Sequence, residues 1–91
     1  MNYIGNFLPE DVRKALKRNN SPEDIRNIVR ATGVSSSAIN YLLNGSQPMT
    51  EHTAKAFERL VEFAKDNTLQ RIKELDIDRS ILSDISDHIA A

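Results

Sequence analysis

The stretch RATGVSSSAINYLLNGS, residues 30–46, decides how this chain folds. It places a Gly between two helical patterns, followed by three serines, an apolar stripe and a closing Asn-Gly-Ser. The ten positions from Ser35 to Asn44 have no charged side chain, although 27% of the chain is charged. This pattern predicts a turn and then a helix whose outward face is polar but uncharged.

Apolar residues recur at spacings of three and four along most of the chain, which predicts an all-α protein. The pattern indicates a compact domain of four to six helices. The first four are predicted at about 9–18, between the cap Ser21 and Gly33, from the cap Ser35 to Asn44-Gly45, and from Glu51 to about Asp66. Pro22 suits the first turn of the second helix, because its missing N–H needs no partner there.

Composition limits the possible classes of protein. Ninety-one residues suffice for one small domain, and the net charge of −1 argues against a uniformly basic surface. There is no cysteine, which excludes disulfides and thiolate metal sites. No apolar run is long enough for a membrane span. The amino-terminal residues have no basic segment followed by an apolar one, so we expect a cytoplasmic protein.

No grouping of residues indicates catalysis. His52 and His88 are isolated in sequence, and no carboxylate lies at a spacing that would complete a metal site with them. There is no Gly-rich phosphate loop, and the serines have no His and acid arranged around them. We therefore expect neither an enzyme nor a cofactor.

Charge changes after Asn67. Residues 1–67 contain nine basic and eight acidic side chains, whereas residues 68–91 contain three and five. The second segment is therefore predicted to be a separate acidic tail, with one short apolar stripe and a last helix capped by Asp78. The apolar residues of these two parts are Leu69, Ile72 and Leu75, then Ile81, Leu82, Ile85 and Ile89. Such a surface is expected to pack either on the first domain or on a second chain.

The turn between the second and third helices is Thr32-Gly33-Val34. Two short helices that meet steeply through a three-residue turn with Gly form a helix-turn-helix unit. Gly33 allows a positive φ, and Val34 is predicted to fill the angle between the helices. Ile28, Val34, Ile39 and Leu42 are then expected to meet in one small core.

The segment DIRNIVRATGVSSSAINYLLNGSQPMTEHTAKAFERL, residues 24–60, resembles the DNA-binding region of lactose-repressor-type and lambda-repressor/Cro-type regulators of bacteria and phages. The resemblance covers about two-fifths of the chain. The matching features are Ile28, Gly33-Val34-Ser35, Ile39, Leu42, Asn44-Gly45 and the capped helix that starts at Thr50. It implies a lambda-repressor-like fold and a sequence-specific regulator whose third helix enters the major groove of double-stranded DNA.

Within that resemblance, a rotation of 100° per residue from Ile39 defines the outward face of the third helix. Base edges offer neutral hydrogen-bonding groups, so a face that reads them needs polar side chains but no charge. The predicted base contacts are Ser36, Ser37, Asn40, Tyr41 and Asn44. Positive side chains and helix amino termini would position the protein on phosphates. The predicted phosphate contacts are Ser21, Arg26, Arg30, Ser35, Ser46, Thr50 and Lys55.

Several of these residues have a purely structural alternative. Ser35 is a helix cap whatever the function, Asn44 can be a carboxyl-terminal cap, and Tyr41 can cover its own helix. A helix-turn-helix can also be a protein-interaction surface, so an inhibitor or adaptor that does not bind DNA is the alternative function. The positions of Arg26 and Arg30 distinguish the DNA-binding function from the adaptor function, because a DNA-binding protein needs these residues beside the third helix and an adaptor does not.

The sequence thus predicts a helix-turn-helix DNA-binding domain in residues 1–67 and a dimerisation or packing element in residues 68–91. The favoured partner of the tail is a second copy of the chain, since a second half-site gives small regulators affinity and specificity. The alternative is that the last helix folds back onto the first and fourth helices.

Overall fold

The computed structural model describes residues 3–90. Met1 and Asn2 of the predicted unit 1–67, and Ala91 of the predicted unit 68–91, lie outside the described residues. In this range the chain forms four helices: α1 (Glu10–Arg18), α2 (Pro22–Thr32), α3 (Ser36–Asn44) and α4 (Glu51–Ala90). Among the same residues, β-pairing is limited to one isolated bridge between Ile4 and Met49. The predicted all-α class is confirmed.

Helices α2, α3 and α4 begin at the predicted caps. The Ser21 hydroxyl accepts a hydrogen bond from the Asp24 N–H at 3.1 Å, and the Asp24 carboxylate accepts one from the Ser21 N–H at 3.0 Å. Ser35 caps α3 by accepting from the Ala38 N–H at 3.1 Å, and Thr50 accepts from the Thr53 N–H at 3.1 Å. These contacts satisfy N–H groups that have no partner inside the helix.

The turn between α2 and α3 has the predicted chemistry. Gly33 adopts φ 74°, where a β-carbon would be strained, and its N–H donates to the Val29 carbonyl at 2.9 Å. The Thr32 hydroxyl donates to the Ile28 carbonyl at 2.7 Å and accepts from the Val34 N–H at 3.2 Å. Val34 is fully buried. The turn is therefore closed by its own hydrogen bonds and anchored in the core.

One hydrophobic core holds the four helices together. It includes the predicted group Ile28, Val34, Ile39 and Leu42, all almost completely buried. Other helices contribute Leu16, Leu43, Ala56, Leu60 and Ala64. Burying a side chain such as Leu or Ile contributes about 1.5–3 kcal/mol, so this group stabilises the arrangement of α1, α2 and α3 against the first half of α4.

The segment before α1 also belongs to this domain, which the sequence did not indicate. The Gly5 N–H donates to the Met49 carbonyl at 2.8 Å, and the Met49 N–H donates to the Asn6 carbonyl at 2.9 Å. Leu8 and Met49 are buried, and the ring of Tyr3 packs edge-on against Phe57 with centroids 5.6 Å apart. The amino-terminal segment therefore ties the loop before α4 to the core.

The predicted end of the fourth helix near Asp66 and the separate helix capped by Asp78 are wrong. Helix α4 is one continuous helix of 40 residues, and the molecule is 60 Å in its longest dimension. Residues 67–78 contain no Gly or Pro and include several strong helix formers, so nothing there stops a helix. The change in charge after Asn67 alters the surface of α4 but does not interrupt its backbone.

The alternative that the last helix folds back onto the domain is also wrong. The apolar side chains of the tail are exposed: Leu69, Ile72, Leu75, Ile77, Ile81, Leu82, Ile85 and Ile89. Among the described residues, the hydrogen bond furthest along α4 that reaches the domain runs from the Arg71 guanidinium to the Asn19 side chain. Beyond this point α4 projects away from the domain. We call residues 68–89 the stalk.

Asp24 gives the domain a dependence on pH. The Ser21 N–H, with a smaller effect of the Asn67 amide, lowers the pKa of Asp24 below its ordinary value, and partial desolvation opposes this. A carboxylate with a lowered pKa in the folded state stabilises the fold above its ordinary pKa, and this contribution is lost as pH falls through the lowered value.

We expect Asp24→Asn to reduce the free energy of unfolding at pH 7 by less than about 1 kcal/mol, because solvent screens the group. Urea unfolding should show a larger difference at pH 7 than at pH 3, and Asp84→Asn on the stalk should show none at either pH.

Candidate nucleic-acid interface

The five predicted base-contacting residues lie on one exposed face of α3. They are Ser36, Ser37, Asn40, Tyr41 and Asn44. The opposite face is anchored in the core by Ile39, Leu42 and Leu43, which are all buried. Because three buried side chains fix the rotation of α3 about its own axis, the polar face points outward in one defined orientation.

A cleft beside this face joins α3 to the first two helices. Its volume is about 410 Å³, and its wall combines polar and basic side chains around an apolar floor. The polar side is formed by Lys17, Asn20, Arg26, Ser36 and Asn40, and the floor by Pro22, Ile25 and Leu43. Arg26 of α2 therefore lies next to the first turn of α3, where Ser36 and Asn40 are exposed.

Arg30 lies along the same edge. It lines a shallow groove with Arg26 and Ser36 between α2 and α3. Its guanidinium donates to the side-chain oxygen of Asn27 at 3.5 Å. In residues 3–90 the only ion pair within 4 Å joins Lys14 to Glu10, so neither arginine is neutralised by a described carboxylate. Both predicted arginines thus present free positive charge beside α3.

Two basic residues of α1, neither of them predicted from the sequence, lie at the other end of α3. Lys17 donates to the Asn44 side-chain oxygen at 2.6 Å. Arg13 lies over Gly45, where a β-carbon would be 2.9 Å from its guanidinium carbon, and its Nε donates to the Leu8 carbonyl at 3.1 Å. Positive charge at a helix carboxyl terminus is favourable. Their i, i+4 spacing beside the buried Leu16 is the pattern that could have identified them.

The side chain of Asn44 takes part in a hydrogen bond within the domain, through its oxygen. Gly45, with φ 73°, is the left-handed residue that ends α3, as the Asn-Gly pair predicted. The Asn44 amide is held by Lys17, but its nitrogen remains a donor that can face a base or a phosphate. Tyr41 is 48% exposed. Its carbonyl accepts from the Ser46 N–H at 3.0 Å, which fixes the start of the next loop.

The remaining predicted phosphate contacts are spread over the helix starts. Ser21, Ser35 and Thr50 use their hydroxyl oxygens as cap acceptors, which leaves the hydroxyl hydrogens of the two serines able to donate. The Thr50 hydroxyl also shares a hydrogen bond with the Thr53 hydroxyl at 3.2 Å. Ser46 is exposed in the loop before α4. Lys55 is exposed on α4 and does not line the cleft beside α3. The structure therefore brings Arg26 and Arg30 to the α3 face but does not group Lys55 with them.

Other kinds of site find no support in the described part of the chain. Among residues 3–90, no three His, Cys, Asp or Glu side chains are grouped so that they could hold a metal ion. None of the described helices combines the length and the apolar character that crossing a membrane requires. Comparisons with protein-family models, with curated proteins and with solved structures find no match for this chain. The α3 face and its basic surroundings are thus the candidate site.

Proposed function

We propose that this protein is a sequence-specific DNA-binding transcriptional regulator of the bacterial or phage type. In this proposal α2 and α3 form a helix-turn-helix of the lambda-repressor-like kind, and α3 lies in the major groove of double-stranded DNA. The protein is cytoplasmic, uses no cofactor and catalyses no reaction. Two copies bind together through the stalk.

The observation that supports this proposal is the arrangement of charge around α3. Its exposed face has only neutral polar side chains, while Arg26 and Arg30 flank its first turns and Lys17 flanks its end. In protein–DNA complexes, basic side chains position the protein on phosphates and neutral polar groups read base edges. Exposed positions of a helix that binds no ligand are usually Lys, Glu or Ala. The separation of neutral polar residues on α3 from basic residues around it therefore supports a binding role for this face.

Asn40 is the best candidate for a specific base contact. It is exposed in the middle of α3 and lies in the cleft whose wall includes Arg26. An Asn side chain can pair with an adenine edge through both its donor and its acceptor. Ser36 and Ser37 lie one turn earlier and can donate or accept, and Tyr41 and Asn44 extend the same face. This gives α3 a reading surface along its whole length.

We expect Asn40→Ala and Ser37→Ala to reduce sequence discrimination without unfolding the domain. Loss of a two-point base contact should weaken binding to the preferred site by about 1–3 kcal/mol and leave binding to random DNA almost unchanged. The preferred site is found by selecting bound duplexes from a random pool, and both affinities are then measured by fluorescence anisotropy. Ser83→Ala on the stalk is the control. If both kinds of DNA lose affinity equally, or neither does, α3 does not read bases through this face.

Arg26→Ala and Arg30→Ala are expected to weaken binding to every DNA sequence alike. Each phosphate contact releases counterions, so the slope of log affinity against log salt should fall by about one unit for each variant. Lys17→Ala should behave in the same way, because Lys17 flanks the other end of α3. Lys73→Ala on the stalk is the control and should leave the slope unchanged. Unchanged slopes in all three domain variants would favour a protein adaptor.

One observation favours that alternative. The floor of the cleft beside α3 is apolar: Pro22 and Ile25 are accessible from outside, and the buried Leu43 also lines it. An apolar side chain of a protein partner would fit such a floor, and the neutral α3 face would then contact the rest of that partner. This adaptor would bind no duplex in the selection experiment, and its partner affinity would fall on Ile25→Asp and stay unchanged on Arg30→Ala.

A further inference from the structure

The surface of α4 that faces the domain continues without a break onto the stalk. Within the domain this surface contains Leu60 and Ala64, which are buried, and then Asn67 and Arg71, which hydrogen-bond to Asn19. These residues recur at spacings of three and four. The same spacing leads along the stalk to a row that we call the seam: Arg71, Leu75, Asp78, Leu82, Ile85 and Ile89. The seam and the domain therefore lie on the same side of α4.

The seam is the centre of a large uncovered apolar surface. Every large apolar side chain from Leu69 to Ile89 is at least 49% exposed. Six of them lie on the seam or directly beside it: Ile72, Leu75, Ile81, Leu82, Ile85 and Ile89. A stable interface buries about 800 Å² on each partner. Six such side chains offer on the order of 100 Å² each, which is most of that area.

Parallel pairing of two stalks is opposed by both shape and charge. Each domain lies on the seam side of its own α4, so two parallel copies would bring both domains into the space between the helices. Parallel pairing also places identical residues opposite each other. Arg71 would face the partner's Arg71, and Asp78 would face the partner's Asp78, which places like charges together inside the interface.

We propose that two copies of this chain pair antiparallel along the seam, with the two-fold axis at residue 80. The spacing of the seam is symmetric about this point. Arg71 opposes the partner's Ile89, Leu75 opposes the partner's Ile85, and Asp78 opposes the partner's Leu82. All six seam residues are then paired, and no layer contains two charges.

The surroundings of the axis agree with this pairing. Ile81 lies beside the seam next to the axis, where it meets the partner's Ile81, and Glu74 lies opposite the partner's His88. The two Arg79 side chains flank the axis on the opposite rim, where water screens their repulsion. Each domain borders the end of the paired region, since Arg71 is the first seam residue and is hydrogen-bonded to Asn19 of the domain.

This pairing specifies the dimer of the proposed function and rests on it, and it has a consequence for the operator. At 1.5 Å per residue, the two Leu60 residues are about 60 Å apart along the helix axis. One turn of DNA is about 34 Å, so two domains at this distance suit half-sites about two turns apart. We expect the duplexes selected from a random pool to contain inverted repeats with that spacing.

Cysteine cross-linking tests the pairing without DNA, because the chain has no cysteine of its own. The full chain is prepared as Leu75→Cys and as Ile85→Cys, and each is oxidised alone and as a mixture. Antiparallel pairing brings position 75 next to the partner's 85, within the Cα distance of about 7 Å that a disulfide allows. Two copies of position 75 are then about 15 Å apart. We expect a covalent dimer only in the mixture.

Glu74→Cys mixed with His88→Cys repeats the test at exposed rim positions, where the substitutions leave the apolar seam intact. Ile77→Cys, away from the seam, is the control and should not cross-link. A covalent dimer from Leu75→Cys alone would mean parallel pairing and would overturn the proposal. Absence of cross-links in both mixtures would overturn it as well. Absence of DNA binding with the expected cross-links would instead overturn the proposed function and leave the antiparallel dimer standing.

Discussion

Replacing both Leu82 and Ile85 by Asp is expected to convert the protein into a monomer and to weaken binding to a palindromic site by at least about 100-fold. Both side chains are about half or more exposed in the single chain and lie on the seam. Burial of a Leu or Ile contributes about 1.5–3 kcal/mol, and two-fold symmetry doubles the loss. The new carboxylates would also be buried without partners. A monomer engages one half-site, so most of the affinity for a two-part operator is lost.

Sedimentation equilibrium of the intact chain and of the double variant measures the change in assembly. Ile77→Asp is the matched control, because Ile77 is a similarly exposed stalk residue away from the seam. The double variant should keep the unfolding free energy of the domain, since the core residues lie between Leu8 and Ala64. An intact protein that is monomeric at tens of micromolar, or a double variant that still dimerises, would contradict the stalk as a dimerisation element.

The helices of the domain were largely predictable, because the helix caps and the apolar spacing that the sequence shows are consistent with the packing of the folded domain. Ser21-Pro22 starts α2, Gly33 ends it in the left-handed conformation, and Ser35 starts α3, as the sequence predicted. Caps and left-handed glycines depend on a few neighbouring atoms, so they can be recognised without the fold. The spacing of Ile28, Val34, Ile39 and Leu42 identified the core for the same reason.

The failures concern features that no local pattern fixes. Asp78 looks like a cap, but a cap forms only where the preceding backbone is not helical, and the strong helix formers before it keep the helix continuous. The Arg13–Gly45 and Lys17–Asn44 contacts join residues distant in sequence. The bridge between Ile4 and Met49 does the same for the amino-terminal segment. Long-range contacts of this kind follow from the assembled core and not from any one segment.

The basic surroundings of α3 were therefore only half predicted. Arg26 and Arg30 follow from the periodicity of α2, because they lie opposite its apolar face. Lys17 belongs to a different helix, and its place beside α3 depends on how α1 packs. A prediction from sequence can assign a residue to a face of its own helix, but it cannot assign that face to a neighbour.

The orientation of α3 depends on one buried side chain more than on any polar group. Ile39 is fully buried at the centre of the α3 contact with the core, and its neighbour Asn40 is exposed. We expect Ile39→Ala to reduce the free energy of unfolding by about 2–5 kcal/mol, because it removes buried methyl groups and leaves a cavity. This is a large part of the stability of a small domain, so urea unfolding should show an earlier midpoint with an unchanged slope.

Comparison of Ile39→Ala with Asn40→Ala distinguishes the residue that holds α3 in place from the residue proposed to contact bases. Loosening α3 displaces its whole outer face relative to Arg26 and Arg30 of α2, so we expect Ile39→Ala to weaken binding to preferred and random DNA alike. Asn40→Ala should keep the unfolding midpoint of the unaltered chain and weaken binding to the preferred site alone. The comparison is made at low temperature, where Ile39→Ala remains mostly folded, with circular dichroism as the check. A stable Asn40→Ala variant that discriminates among sequences as well as the unaltered protein would mean that α3 binds something other than base edges.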